Sequence, residues 1–496
     1  MASGVVEQQH TRDLSGTSDS APPDLLYLLG NTLILHQTTP YLPISALLNL
    51  AATSRSFRDL LQRTPGVFRH LDLTRVKTAQ FDVGAIDHGG EVWRNVQLDE
   101  NITEDDFYSG PLRAIFHSIR RRNILQDVHT LILDGLSVTA ELCNDILVDP
   151  SFRVRILSIR EVKNLNEPKL MQSLRFACRR TRPDHMPRLK GLYVFGKKDA
   201  PLLPPSAPAA PARQAKTARG AAISSGWNHK SQHALKVSIE REGDDWYHCK
   251  GRMVSKSITE GWAETLHACH GVIQFDSVLC TGPCHRDSSA FGTAPLSPTR
   301  AADKGCRAVA QFALGGCASC GSAPEGFTVY GETPSADLPL LAPVPLHSST
   351  VKSAARPAPD ADGSNGNGGK PKFVPRCLEC VRERYCFSCH QWWCELCYQV
   401  PGHEDAVAAQ LVHVVDETNG LVDHEIAAFE PQKIKTRKIT RSCWECESNC
   451  FDCIANTQKI CIACGGGYCI IHFDGSTLTL CDWCSASRGR RVRELY

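Results

Sequence analysis

The chain has 496 residues, with 55 Lys and Arg against 53 Asp and Glu, a formal net charge of +2 and 24 cysteines. So even a balance gives no field of one sign to draw in nucleic acid or a membrane surface. The first residues, MASGVVEQQH, hold no apolar signal core, and no apolar run is long enough to span a bilayer. A cytoplasmic and/or nuclear protein with reduced thiols is expected, of roughly two to four domains. Cysteines in that setting, mostly in C-x-x-C pairs, favour zinc over disulfides.

Residues 1–22 are polar and rich in Ser, Gly and Pro, and disorder is expected there. Residues 41–73 predict two short helices and a strand. Pro43 suits a first helical turn and Ser45 offers a cap oxygen. Leu47, Leu48 and Ala51 fall on one face. After a break at Thr53-Ser54, Phe57, Leu60 and Leu61 repeat the spacing. Pro65-Gly66 ends the helices, and Leu71 and Leu73 alternate as in a strand. A helical hairpin within a core would leave the same pattern.

Leu42-Pro43, the run Leu47-Leu48-x-Leu50, Ser54-Arg55-x-Phe57-Arg58, Leu60-Leu61 and the following Phe68 to Leu73 stretch resemble the second and third helices of an F-box and the strand after it. Where that family opens its first helix with Leu-Pro, this chain has Asp24-Leu25-Leu26-Tyr27. The resemblance, assigned to residues 23–66, implies docking on the Skp-type adaptor of a cullin-RING ubiquitin ligase. Leu42, Pro43, Leu47, Leu48, Leu50, Phe57 and Leu60 would be the contact residues.

A ladder of strand-like hexads follows over residues 67–332, with apolar residues at the first, fourth and sixth places. They are Phe68/Leu71/Leu73, Trp93/Val96/Leu98, Val128/Leu131/Leu133, Val154/Leu157/Ile159, Leu189/Leu192/Val194, Leu235/Val237/Ile239, Val272/Phe275 and Val309/Phe312/Leu314. Helix-like stretches, such as residues 112–124 and 170–178, fill several intervals. A strand and a helix repeated in this way resemble an irregular leucine-rich-repeat solenoid; an ordinary α/β domain is the alternative. Pro/Ala-rich residues 201–222 read as a disordered insertion, and residues 333–375, rich in Pro, Gly, Ser and Asn, as a disordered linker.

Residues 376–496 read as a cysteine-rich zinc module. One cluster holds Cys377/Cys380, Cys386/Cys389 and Cys394/Cys397, with His403 and His413 downstream. The other holds Cys443/Cys446, Cys450/Cys453, Cys461/Cys464, Cys469/His472 and Cys481/Cys484. Each pair forms a knuckle that presents two donors to one ion, and zinc takes four. Free thiols would not explain eight paired spacings. Adjacent pairs are too close to fold around one ion easily, so Cys450/Cys453 is expected with Cys469/His472, and Cys461/Cys464 with Cys481/Cys484. Cys443/Cys446, or else His403 and His413, would complete the first cluster. The second cluster resembles a cross-brace finger of the RING, AN1 or B-box kind, and the first a ZZ-type finger. A further zinc is expected from Cys280, Cys284, Cys317 and Cys320, if the Val272 and Val309 hexads are adjacent parallel strands; Cys306 and His285 are spares.

The expected fold is α+β and multidomain: a helical F-box-like segment, an irregular αβ solenoid and a small zinc-stabilised module. The resemblance implies a non-catalytic substrate adaptor that binds the Skp-type adaptor, the cullin complex and a protein substrate. One alternative is a RING-like ubiquitin ligase recruiting a conjugating enzyme, with Leu378, Ile470 or Trp483 exposed beside the knuckles. Another is a reader of histone tails or nucleic acid, with nucleic acid disfavoured by the neutral charge.

Overall fold

The computed structural model describes residues 24–80, 104–198, 245–288, 290–291, 307–341, 350–357, 370–398, 439, 441, 443, 445–473 and 475–486. The chain divides into two compact units, Met1–Phe68 and Arg69–Tyr496.

The first unit is helical: α1 (Leu25–Gly30), α2 (Thr32–Thr38), α3 (Ile44–Thr53) and α4 (Arg55–Arg63). Leu29, Leu35, Leu47 and Leu61 are buried. Both helices expected from residues 41–73 form. Their caps differ from expectation: Pro43, not Ser45, stands at the N-cap of α3, where no side chain caps. The Ser54 hydroxyl accepts from the Phe57 N–H at 3.1 Å and starts α4, which is what breaks the two helices apart.

The second unit opens with a five-stranded parallel sheet whose neighbours follow sequence order: β1 (His70–Asp72), β2 (Thr130–Ile132), β3 (Ile156–Ser158), β4 (Gly191–Tyr193) and β6 (Gln274–Phe275). Helices α5 (Glu104–Arg121), α6 (Ala140–Val148), α7 (Glu167–Ala177) and α8 (Trp262–Cys269) lie between successive strands in the sequence. The fourth residue of each hexad forms one row across the sheet, Leu71, Leu131, Leu157, Leu192 and Phe275, each the register partner of the next. All five are buried. The period of apolar residues thus set the register, because a slip of one residue would turn every rung outward. Leu131 has no exposed surface, so Leu131→Ala should cost about 2–5 kcal/mol in urea unfolding. A cost under about 1 kcal/mol would mean the row is not a packed core.

Buried polar groups tie the carboxyl ends of these strands. The Asp276 carboxylate accepts the N–H groups of Val194, Phe195 and Gly196 at 3.0, 2.9 and 2.7 Å. Asp134 pairs with Arg160 at 2.6 Å. Burial pushes the Asp276 carboxyl up from its ordinary value, against those three donors.

The ladder departs from expectation at its end. The Val309 hexad forms β7 (Phe312–Leu314) in a second, antiparallel sheet, ordered β5 (Gly251–Arg252), β7, β9 (Lys372–Arg376) and β8 (Thr328–Val329). Apolar spacing marks a buried strand but carries no direction. Here Val309 bridges antiparallel to Leu279, which reverses the strand relative to its predecessors. The Trp93 and Leu235 hexads lie outside the described residues, as do residues 1–22 and 201–222.

Residues 333–375 are not a plain linker. Leu338, Leu340, Leu341 and Ala354 are buried, the Leu340 N–H donates to the Phe275 carbonyl at 2.7 Å, and the Tyr193 hydroxyl donates to the Leu341 carbonyl at 2.7 Å. Residues 372–375 are most of β9. Leu and Val side chains scattered among Pro and Gly supply apolar anchors that the overall composition obscures. No helix among the described residues is long and apolar enough to cross a membrane.

Candidate metal centres

Five quartets of donor atoms form, each with its sulfur and nitrogen atoms within 4.8 Å of one another. They are Cys280/His285/Cys377/Cys380, Cys317/Cys320/Cys394/Cys397, Cys386/Cys389/Cys450/Cys453, Cys443/Cys446/Cys469/His472 and Cys461/Cys464/Cys481/Cys484. All sixteen ligands expected in residues 376–496 fall into these sets, with four more from upstream.

Strand pairing builds the first two quartets. The Cys280 N–H donates to the Ala308 carbonyl at 2.8 Å, and the Gln311 N–H to the Arg376 carbonyl at 2.7 Å. Running alongside, β9 thus ends with Cys377 and Cys380 beside Cys280. The chain leaving β7 meets the second knuckle the same way: the Ala318 N–H donates to the Trp392 carbonyl at 2.8 Å, and the Cys394 N–H to the Cys317 sulfur at 3.2 Å. Beneath them lies a core of Phe312, Val374, Tyr385, Trp392 and Trp393. Arg376 and Arg384 flank the Trp392 ring at 5.3 and 5.9 Å and pair with buried Glu325 and Glu395.

The third quartet joins the two cysteine clusters. Asn449 Oδ1 accepts from the Ser388 N–H and hydroxyl at 3.0 and 2.8 Å, locking the knuckles together. The fourth and fifth interleave: the pairs starting at Cys443 and Cys469 share one quartet, and those starting at Cys461 and Cys481 the other. Strands β10 (Gln458–Ile460) and β11 (Gly467–Cys469) form the hairpin between them.

Local backbone explains the knuckles. After Cys320 and Cys464 the chain turns at Gly321 and Gly465, with φ of 71° and 72°. Their N–H groups return to the carbonyls of Cys317 and Cys461, both at 2.8 Å. Glycine adopts this left-handed turn without the cost other residues meet.

The geometry suits one ion per quartet. A tetrahedron with roughly 2.3 Å zinc–sulfur bonds has edges of about 3.8 Å. One sulfur–sulfur distance from each quartet, in chain order, is 3.8, 3.8, 3.9, 3.5 and 3.8 Å. Electrostatics agrees. The hydrogen bond with Cys394, helped by backbone N–H groups, pulls the Cys317 thiol down to about 4, while the same contact drives Cys394 up. Burial opposes a charge on His285, yet the sulfurs of Cys280 and Cys380 hold its imidazole up to about 11. Thiolates this close repel one another unless a cation lies between them. The donor set is compatible with zinc.

Several partnerships differ from the sequence expectation. Cys450/Cys453 joins Cys386/Cys389, not Cys469/His472; Cys443/Cys446 takes that place and does not complete the first cluster. Cys461/Cys464 does join Cys481/Cys484. Cys280 and Cys317 belong to different quartets, because their strands are antiparallel and each sequence continues to a different knuckle downstream. Cys284 packs against the first quartet, but His285 fills the fourth position, its Nε2 3.4 and 3.3 Å from the sulfurs of Cys377 and Cys380. The pattern C-x-x-C-G at Cys317 was a signal that a complete knuckle stood there. His403, His413 and Cys306 lie outside the described residues.

Of the residues expected to be exposed beside the knuckles, Trp483 is 81 % exposed. Leu378 and Ile470 are packed inward. Ile462, not foreseen, is 77 % exposed. In the helical unit Leu47 is buried and Leu48 is 40 % exposed; Leu42, Leu50, Phe57 and Leu60 are half-buried and Pro43 is exposed.

No protein-family model, curated protein or solved structure matches the chain.

Proposed function

We propose that this chain is a non-catalytic substrate adaptor of a cullin-type ubiquitin ligase, held on a Skp-type subunit by α3 and α4, with structural zinc in its five quartets. The observation that carries the reading is a compact helical unit that keeps its own leucine core yet leaves Leu48 exposed, with Leu25, Tyr27 and Leu33 exposed in the same unit. An apolar surface of this kind calls for a partner. The sequence resemblance to an F-box supplies which one. The in-order parallel strands with intervening helices support a leucine-rich-repeat-like scaffold in the second unit, suited to presenting a substrate. Zinc is favoured because every quartet offers only sulfur and imidazole, and all four positions come from protein.

Leu48→Asp tests the docking. Leu48 is exposed, so the unit should stay folded while a charge enters the apolar contact. Pull-down of a Skp-type subunit by the full chain should be abolished. Capture at the wild-type level by a variant with an unchanged melt would remove the assignment.

One observation favours a second reading. The interleaved quartets, with Ile462 and Trp483 exposed between their knuckle cysteines, support a RING-like module that recruits a conjugating enzyme. Ubiquitin chains built by the purified protein without a cullin, and lost in Trp483→Ala, would favour that reading over the first.

A further inference from the structure

The near-zero net charge conceals a strongly polarised edge. In a parallel sheet all strands begin on the same side. The residues just ahead of β1 to β4 are Arg69, His129, Arg155 and Lys190, and they stand in one row. The N–H groups of Thr130, Ile156 and Gly191 bond the carbonyls of Arg69, His129 and Arg155 at 2.9, 3.0 and 3.0 Å. Neighbouring strands are about 4.8 Å apart, and like charges directly opposite each other repel. The repulsion registers on His129: burial first, then Arg155 and Arg69, hold its imidazole below the ordinary value.

The loops feeding β2, β3 and β4 enlarge the row. Residues 120–129, 149–155 and 175–190 contain eleven Arg and Lys against three Asp. Arg120 occupies Asp149 at 2.7 Å. Among the described residues no carboxylate pairs with Arg121, Arg122, Arg153, Arg155 or Arg180, and all five are exposed. Phe176 is exposed on the same edge, with the Arg179 guanidinium 3.7 Å from its ring centre. Cations at helix C-termini are favoured by the helix dipole. That accounts for Arg120, Arg121 and Arg175 but not for Arg153, Arg155, Arg180, Arg182 or Lys190, which lie beyond the helices.

We infer that this edge, from Arg69 to Lys190, is a docking surface for an anionic protein segment carrying clustered carboxylates or phosphorylated side chains. Ten of the eleven loop cations are arginines, whose planar forks match carboxylate and phosphate. Single-stranded nucleic acid is the poorer fit: it needs a succession of stacking aromatics, and Phe176, already covered by Arg179, is the one large exposed aromatic of these loops. The inference rests on reading the chain as a protein-binding adaptor and names the class of segment it would select.

The test is fluorescence anisotropy with the full-length, metal-loaded protein. Three labelled probes are compared at low and high salt: a glutamate-rich peptide, a serine-rich peptide phosphorylated at clustered positions, and single-stranded RNA. At least one peptide should bind with an affinity that falls as salt rises. Which peptide binds tighter tells carboxylate from phosphate as the source of the charge. The fourfold variant R121E/R122E/R153E/R180E should lose about tenfold or more in affinity, and R121K/R122K/R153K/R180K, which keeps the charges without the forks, should lose less than the reversal. Should the fourfold reversal lose its cooperative melt, Arg121→Glu and Arg180→Glu are read singly. Failure of both peptides to bind, unchanged binding by a folded reversal variant, or tighter binding of RNA than of either peptide would each overturn the proposal. Capture of the Skp-type subunit is measured separately, so a failure here leaves the α3–α4 docking standing or falling on its own result.

Discussion

Stripping the metal from the full chain should abolish the cooperative unfolding of the antiparallel sheet and the donor quartets and leave the parallel sheet as the folded remainder. Metal analysis of the purified protein should return five ions per chain, one for each quartet. The size of the effect follows from how little else holds this part together. Strands β5, β8, β10 and β11 have two or three residues each, and the fifth quartet has only a small core in which Tyr468 joins Cys461 and Cys481. Structural zinc contributes on the order of 10 kcal/mol or more per site, which is as large as the whole net stability of a typical domain. The third quartet is the most revealing one to break. Cys386→Ser with Cys389→Ser should lower the count to four and release residues 445–473 from the Trp392 core, seen as lost hydrogen-exchange protection in that stretch. A count that stays at five, or a chelated protein with an unchanged melt, would refute the assignment.

Fragments should fail in a particular way. A chain ending at Gly331 keeps Cys280, His285, Cys317 and Cys320 but loses Cys377, Cys380, Cys394 and Cys397, so it should bind no metal tightly. The complementary fragment, residues 372–496, should hold three ions, since only the third to fifth quartets are complete within it. Its Cys377/Cys380 and Cys394/Cys397 knuckles would be half-sites, and Trp392 would lose its 2.8 Å bond to the Gly315 carbonyl. The fragment should therefore show a core with weakened protection in hydrogen exchange. One firmly bound ion in the shorter chain would instead favour the Cys280–Cys317 pairing that sequence spacing suggested. Five ions in the 372–496 fragment would exclude the quartets described here.

The contrast between these outcomes separates what is local in this protein from what is not. The apolar hexads were legible because burial at fixed intervals is a property of each strand alone. Leu71, Leu131, Leu157, Leu192 and Phe275 therefore line up as their spacing implied. The helix pair at residues 44–63 was legible for the same reason, through its 3.6-residue period and the break at Thr53-Ser54, while the cap that Ser54 supplies was not foreseen. The direction of a strand is not written in its period, so the Val309 hexad, alike in pattern, turned out antiparallel. Composition also misled where a few side chains outweigh it: Leu338, Leu340 and Leu341 anchor a stretch that otherwise reads as linker.

The sequence alone marked most of the cysteines that gather into quartets, though not the exchange of Cys284 for His285, because C-x-x-C is a single turn of backbone whose two sulfurs converge whatever surrounds it. It also marked the strands of the parallel sheet, though not β9 of the antiparallel one. Only the tertiary structure decided which knuckles share an ion, since their partners lie between 17 and 100 residues apart and meet only through the pairing of β7 with β9 and the interleaving around β10 and β11. The basic edge was decided there too. Its arginines are dispersed through the sequence and balanced by acids elsewhere, and the parallel sheet alone brings them to one side, by starting every strand at the same edge.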